Sequence, residues 1–303
     1  MRRAQPRRGL LGLAFVLPVT ALLAAGAGGP ARTAELLGPV VTFALPVVAV
    51  IAFWWVDWPG SLLRGGWTGV SDTALVTAGG AGLALLARAV TGAAAVPLAA
   101  GIFTLVLQLT LVGEGRPLRG RGTRWPGVAA LALCWVAGLA LYLGLVRTGL
   151  VRGEDYGAWF AVLGAWQMVC YVALRGWPFA RIRRPAVRLA TAHGAVVAGT
   201  WTTWAWVTPP VAGAVVASVL VVAMLFEAWP AIRFTPLAGR ALVLALVALL
   251  TAALSWTLPR VARWAAVPDH LVGGWVTHTT LNALSLAVIL HVAVWRRWPA
   301  SAP

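Results

Sequence analysis

The chain has 303 residues, 60% of them hydrophobic and 11% charged, with a formal net charge of +16 whose 24 basic residues are all arginine. A soluble domain carries roughly 25% charged residues, so this composition excludes a water-covered surface, and a mean hydropathy of +0.85 calls for lipid as solvent. The arginines lie in short clusters between apolar runs, the distribution of membrane-protein loops rather than of a nucleic-acid surface, and anionic headgroups at the cytoplasmic face are their expected partner.

Ten apolar runs follow in chain order, at 10–28, 35–55, 72–91, 93–113, 126–146, 156–174, 187–207, 210–228, 236–256 and 272–295. Each suits one crossing at ~20 residues per span. Helix is the expected state, because an isolated span in lipid must satisfy its own backbone hydrogen bonds, and the runs are too uniformly apolar for the alternation of a barrel strand.

The first run follows Arg2, Arg3, Arg7 and Arg8, and its Ala25-Gly26-Ala27 resembles a signal-peptide cleavage site. Its apolar stretch exceeds a usual signal core, so an uncleaved first helix is the better reading of residues 1–27. The third run opens on Ser71-Asp72, expected as an N-cap, and holds Ala78, Gly79, Gly80 and Gly82, small enough for close helix contact. Gly194 and Ala198 offer a second such seam. Cys134 and Cys170 fall inside spans and read as small buried apolar residues.

Every second run ends in a proline preceded by an aromatic or basic residue: Trp58-Pro59, Arg116-Pro117, Trp177-Pro178, Trp229-Pro230 and Trp298-Pro299. The intervals are 58, 61, 52 and 69 residues, each enough for two spans. Proline cannot extend a helix, and tryptophan prefers the headgroup region, so Trp-Pro acts as a stop at the water boundary. The expected architecture is an all-α integral membrane protein of about ten transmembrane helices in five tandem helical hairpins. It forms one polytopic domain over 1–303, in units 1–59, 60–117, 118–178, 179–230 and 231–303. The repeats run in one sense and give no sign of inverted halves.

With the N-terminus inside, only Arg32, Arg88, Arg147, Arg152, Arg260 and Arg263 face outward, and the other eighteen arginines lie inside. Both termini are therefore expected in the cytoplasm of a bacterial-type plasma membrane. Trp58, Trp177, Trp229 and Trp298 would then belong to an inner aromatic belt, and Trp206, Trp256, Trp264 and Trp275 to an outer one. No gap between spans can hold a soluble domain of at least ~50 residues.

Polar residues within or beside the spans are the remaining pointers to function. Asp57, Glu114, Arg175, Glu227 and Arg297 sit two or three residues before a repeat proline. They form either a solvated rim or a ring of opposite charges that fixes the packing of successive hairpins. Gln108, Gln167, His193, His278 and Asn282 should point into the bundle, as interhelical hydrogen-bonding groups or as the lining of a polar cavity. His278 lies toward the outer end of its span and His193 toward the inner end of its own, which counts against one compact site. His193 and His291 are the weak candidates for haem or metal ligation, without a supporting acid, HxxxH or cysteine motif. No cofactor is expected, and no soluble catalytic signature such as GxxxxGK[ST], HExxH or GxSxG occurs. The favoured reading is a non-enzymatic membrane protein that binds or organises a partner or a lipophilic molecule. A small-solute permease is the alternative, and an intramembrane haem or metal protein, or an enzyme using the transmembrane histidines, the third.

Overall fold

The computed structural model describes residues 5–56, 58–64, 66–92, 96–116, 118, 120 and 124–298. Asp57, Pro117, Arg119, Arg121 and Pro299 lie outside the described residues. The chain is all-helical, 82% helix, with no strand among the described residues. Seven helices are long and apolar enough to cross a membrane: α1 (Arg7–Ala25), α2 (Pro30–Trp55), α3 (Gly66–Thr91), α5 (Trp125–Arg147), α6 (Gly153–Ala173), α9 (Pro236–Trp264) and α10 (Asp269–Val294). Two shorter apolar helices, α4 (Val96–Val112) and α8 (Pro209–Leu225), stand with them. So does α7 (Pro185–Thr203), whose Arg188, His193 and threonines dilute its apolar character.

The helices sort into two layers by parity. In the most apolar window of each helix, 67%, 61% and 78% of the residues of α2, α6 and α10 are buried, against 22%, 17%, 17% and 11% for α1, α3, α5 and α9. The even-numbered helices form a closed inner ring, α2 against α4, α4 against α6, α6 against α8, α8 against α10 and α10 against α2. Their packed interior holds fully buried Val48, Ile51, Val219, Leu220 and Val288. The odd-numbered helices lie outside this ring and leave broad apolar faces exposed, as Leu85, Leu133 and Leu249 show. Lipid is the solvent that suits such faces.

Each outer helix packs on the inner helix before it and reaches the inner helix before that. Thus α5 packs on α4 and α2, α7 on α6 and the end of α4, and α9 on α8 and the end of α6. The order closes on itself: α3 meets α2 and the end of α10, and α1 meets α10 and the end of α8. Glycines make the close approaches possible. A Cβ added at Gly9, Gly69, Gly127 or Gly199 would strike the rings of Phe226, Trp295, Trp55 or Trp166 across the layers. Of the expected seams, Gly79 and Gly80 of α3 do face α2, with the Val40 carbonyl 2.7 Å from a Cβ built on Gly80, whereas Gly82 of α3 and Gly194 of α7 meet open space.

All five inner helices end the same way. Each winds into a π-helical turn, at Ile51–Trp55, Gln108–Val112, Val169–Ala173, Leu220–Leu225 and Leu290–Val294. Each then breaks at a left-handed residue: Val56, Glu114, Arg175, Glu227 and Arg296 all have φ between 47° and 55°. Next, the backbone N–H of Trp58, Arg116, Trp177, Trp229 or Trp298 donates to the carbonyl three residues back, at 2.7–3.2 Å. The Trp58-Pro59, Trp177-Pro178 and Trp229-Pro230 peptides are all cis and lead into 3₁₀ turns at Gly60–Leu62, Phe179–Arg181 and Ala231–Arg233.

Two local expectations change. Asp72 is not an N-cap: α3 starts at Gly66, and Asp72, fully buried within it, accepts the Gly60 N–H at 2.8 Å. The 3₁₀ turn that precedes α3 folds back against it, so the carboxylate meets a backbone donor from outside its own helix. Trp275 is not a surface anchor: it is 6% exposed and its indole N–H donates to the Ala24 carbonyl at 2.9 Å. By contrast Trp206, Trp256 and Trp264 are exposed.

Candidate functional site

The inner ring is packed at one end and hollow at the other. A cavity of about 1150 Å³ is lined from all five inner helices, by residues from their starts and middles. Its mouth lies between the helix starts, where exposed Arg32, Glu35 and Glu154 reach it. Its depth is reached at Leu45, Leu107, Met168 and Val216, which join the packed apolar interior. Space exists because the wall facing it is cut back to Gly38, Ala100, Gly157, Ala161 and Gly164. The volume lies somewhat above the ~300–1,000 Å³ usual for ligand pockets.

The wall is mainly apolar, with one polar station. His278 and Asn282 of α10 and Thr42 of α2 all line it. The backbone there is π-helical, His278–Leu284, a winding common at functional sites that aligns residues four to five apart. His278 Nε2 meets the Leu23 carbonyl at 3.0 Å. Asn282 Nδ2 donates to Thr42 Oγ1 at 2.9 Å, and Thr42 Oγ1 donates to the Gly38 carbonyl at 2.7 Å. The polar station therefore ties α1, α2 and α10 together beside the cavity.

The other three candidate cavity residues form a separate chain. Gln167 on α6 donates to Gln108 Oε1 on α4 at 2.5 Å and to the Thr104 carbonyl at 3.2 Å, and Gln108 Nε2 meets His193 Nδ1 on α7 at 2.5 Å. None of these three lines the cavity. They join two inner helices to an outer helix, which is the interhelical hydrogen-bonding role.

At the packed end, the rim residues act as cross-links. Arg297 pairs with Glu227 at 3.1 Å and donates to the Leu225 and Met224 carbonyls at 3.0 and 2.7 Å, tying the end of α10 to the end of α8. Glu114 takes both guanidinium N–H groups of Arg188, at 2.6 and 2.8 Å, tying the end of α4 to α7. Arg175 is exposed and shows no ion pair among the described residues. Three arginines sit over the repeat tryptophans, Arg124 over Trp58, Arg240 over Trp177 and Arg233 over Trp229.

His193 and His291 are not a pair. The first binds Gln108, whereas the second stacks on Phe15 of α1 with ring centroids 5.1 Å apart. No group of three or more His, Cys, Asp or Glu residues suited to a metal occurs among the described residues.

Of the five residues offered as a polar cavity lining, His278 and Asn282 do line the cavity, whereas Thr42 and the glycines that shape it were not singled out. A signal was present: Thr42, Thr104, Gln108, Gln167, Ser218, His278 and Asn282 all fall on even-numbered helices, which marks those helices as the inner set. No protein-family model, curated protein or solved structure matches this chain.

Proposed function

We propose that this chain is a plasma-membrane protein of ten spans, built as five tandem hairpins with both termini in the cytoplasm, that binds a small lipophilic molecule in its central cavity from the outer side. The cavity carries this reading: about 1150 Å³, apolar walls, a polar station of His278, Asn282 and Thr42, and a mouth at the inner-helix starts. The arginine distribution supports the orientation, because the segments at the packed end hold most of the basic residues and would meet anionic headgroups. The hairpin reading is supported by the recurrence of one turn at the end of every inner helix. A binding role rather than catalysis is favoured by the partners of the polar groups: His278 is held by a backbone carbonyl, not by an acid that would activate it.

The test uses one engineered thiol. With Cys134 and Cys170 replaced by alanine, Leu281→Cys at the cavity wall is treated with a membrane-impermeant maleimide in right-side-out and inverted vesicles. The expected result is labelling in right-side-out vesicles alone, with protection by a lipophilic occupant. Labelling in inverted vesicles alone overturns the orientation. Labelling from both sides identifies a permease, since only alternating access would open the packed end.

A further inference from the structure

Resting on the cavity reading above, we infer that the cavity selects amphipathic molecules with an uncharged hydrogen-bond-donating head, a hydroxyl, over isomers whose head can only accept. The argument is an account of protons on the cavity wall. Thr42, Thr104 and Thr277 each donate their single hydroxyl proton to a backbone carbonyl of their own helix, Gly38, Ala100 and Gly273, at 2.7, 2.7 and 2.9 Å. Each then has only lone pairs to offer. Trp275 spends its one N–H on the Ala24 carbonyl.

The two ambiguous side chains are fixed by the same network. A carbonyl accepts and never donates, so the His278 Nε2 that faces Leu23 carries the proton, and in the uncharged ring Nδ1 is left as an acceptor. Thr42 has given its proton to Gly38, so it meets Asn282 as an acceptor. The Asn282 amide must therefore present Nδ2 to Thr42, which turns Oδ1 the other way. Neither His278 Nδ1 nor Asn282 Oδ1 has a partner among the described residues, although both side chains are 6% exposed. The polar station is thus rich in acceptors, and a hydrogen-bond donor is the head that complements it.

The remaining surroundings narrow the class. The wall below the station is apolar at Leu45, Leu107, Met168 and Val216, which fits a hydrocarbon body. A carboxylate head would bring further lone pairs to unmatched lone pairs. At the mouth, Arg32 and the N-terminal dipole ends of the inner helices offset the carboxylates of Glu35 and Glu154, so neither sign of charge is called for. An alcohol is the head that satisfies all three conditions.

The experiment compares two isomers. Octan-1-ol and heptyl methyl ether have the same formula and nearly the same shape, but only the alcohol donates. Each, together with octanoate, is titrated calorimetrically against the full chain in phosphatidylcholine nanodiscs, with empty nanodiscs as the blank. Expected is a preference for the alcohol of about tenfold or more over both others, the direction seen where sites built for a hydroxyl meet an analogue lacking it. Asn282→Leu should lower that preference, because it removes Oδ1 and leaves His278 Nδ1. Thr42→Val should shrink it by strengthening ether binding, because the freed amide can rotate and present N–H. Both variants are first checked for native size and helicity. Ether or octanoate binding as tight as the alcohol overturns the inference while leaving the cavity reading standing. Absence of saturable binding by all three overturns both.

Discussion

The same five helices build two opposite ends. Toward their starts they part around a cavity, and toward their ends they close on Ile51, Val219, Leu220 and Val288 and are bound by Arg297 and the repeated turn. The two ends differ in side-chain size and in where the polar bonds go. At the open end, glycine and alanine leave space, and hydroxyls bond mostly within their own helix. At the closed end, bulky residues fill the space, and charged groups bond between helices. In lipid, helices gain nothing from hiding apolar surface from water, so packing and interhelical hydrogen bonds decide where they close. Stability should therefore be concentrated at the closed end, and the open end should tolerate change.

The strongest way to break this comparison is Arg297→Leu. It strips partners from Glu227 and from the Leu225 and Met224 carbonyls at once, and should cost about 3 kcal/mol, read as reversible unfolding in mixed micelles. Gly60→Ala should follow at about 2 kcal/mol, since a Cβ there would lie 2.4 Å from a carboxylate oxygen of buried Asp72. Asn282→Leu, at the cavity, should cost below about 1 kcal/mol, because interhelical hydrogen bonds in membranes average near that scale and only the bond to Thr42 is lost. If this open-end change destabilises as much as Arg297→Leu, the asymmetry fails.

The smallest expected effect lies at the mouth. Arg152 bonds Asp155 at 2.8 Å, and that bond holds the Asp155 carboxyl below its ordinary value. The contribution is present above the unfolded value of ~3.9 and is lost as pH falls through the lower folded value. The pair is solvent-exposed, so Arg152→Ala should lower the unfolding midpoint only slightly at pH 7, and that small difference should vanish in acid, as Asp155 becomes protonated in both proteins.

What could be read in the sequence follows from what each residue needs locally. A helix stop is a local event, so the Trp-Pro breaks were visible at Trp58, Trp177 and Trp229, and the helices lie where the apolar runs are. Asp72 was misplaced because its donor, Gly60, comes from a turn that folds back across α3, and nothing near Asp72 announces it. Trp275 looked like an anchor for the same reason, its true partner being the distant Ala24 carbonyl. The union of Gln108 with His193 depends on α7 reaching past α6 to α4, an offset that no single hairpin contains. The shape of the cavity was least legible, because it is made by small residues on separate helices, such as Gly38, Ala100 and Gly164, each unremarked alone.

The offset between layers bears on how the molecule is made. A chain emerges from its N-terminus, yet α1 rests on α10 and on the end of α8, where Gly9 and Gly12 accommodate Phe226 and His291. Of the described helices, α1 therefore has the larger part of its seat built last, with α2 its main neighbour until then. Until α10 is made, Gly12 of α1 lacks the His291 ring that covers it, and the inner ring cannot close. A product cut short before α10 keeps the contact of α1 with α2 but leaves the inner ring open.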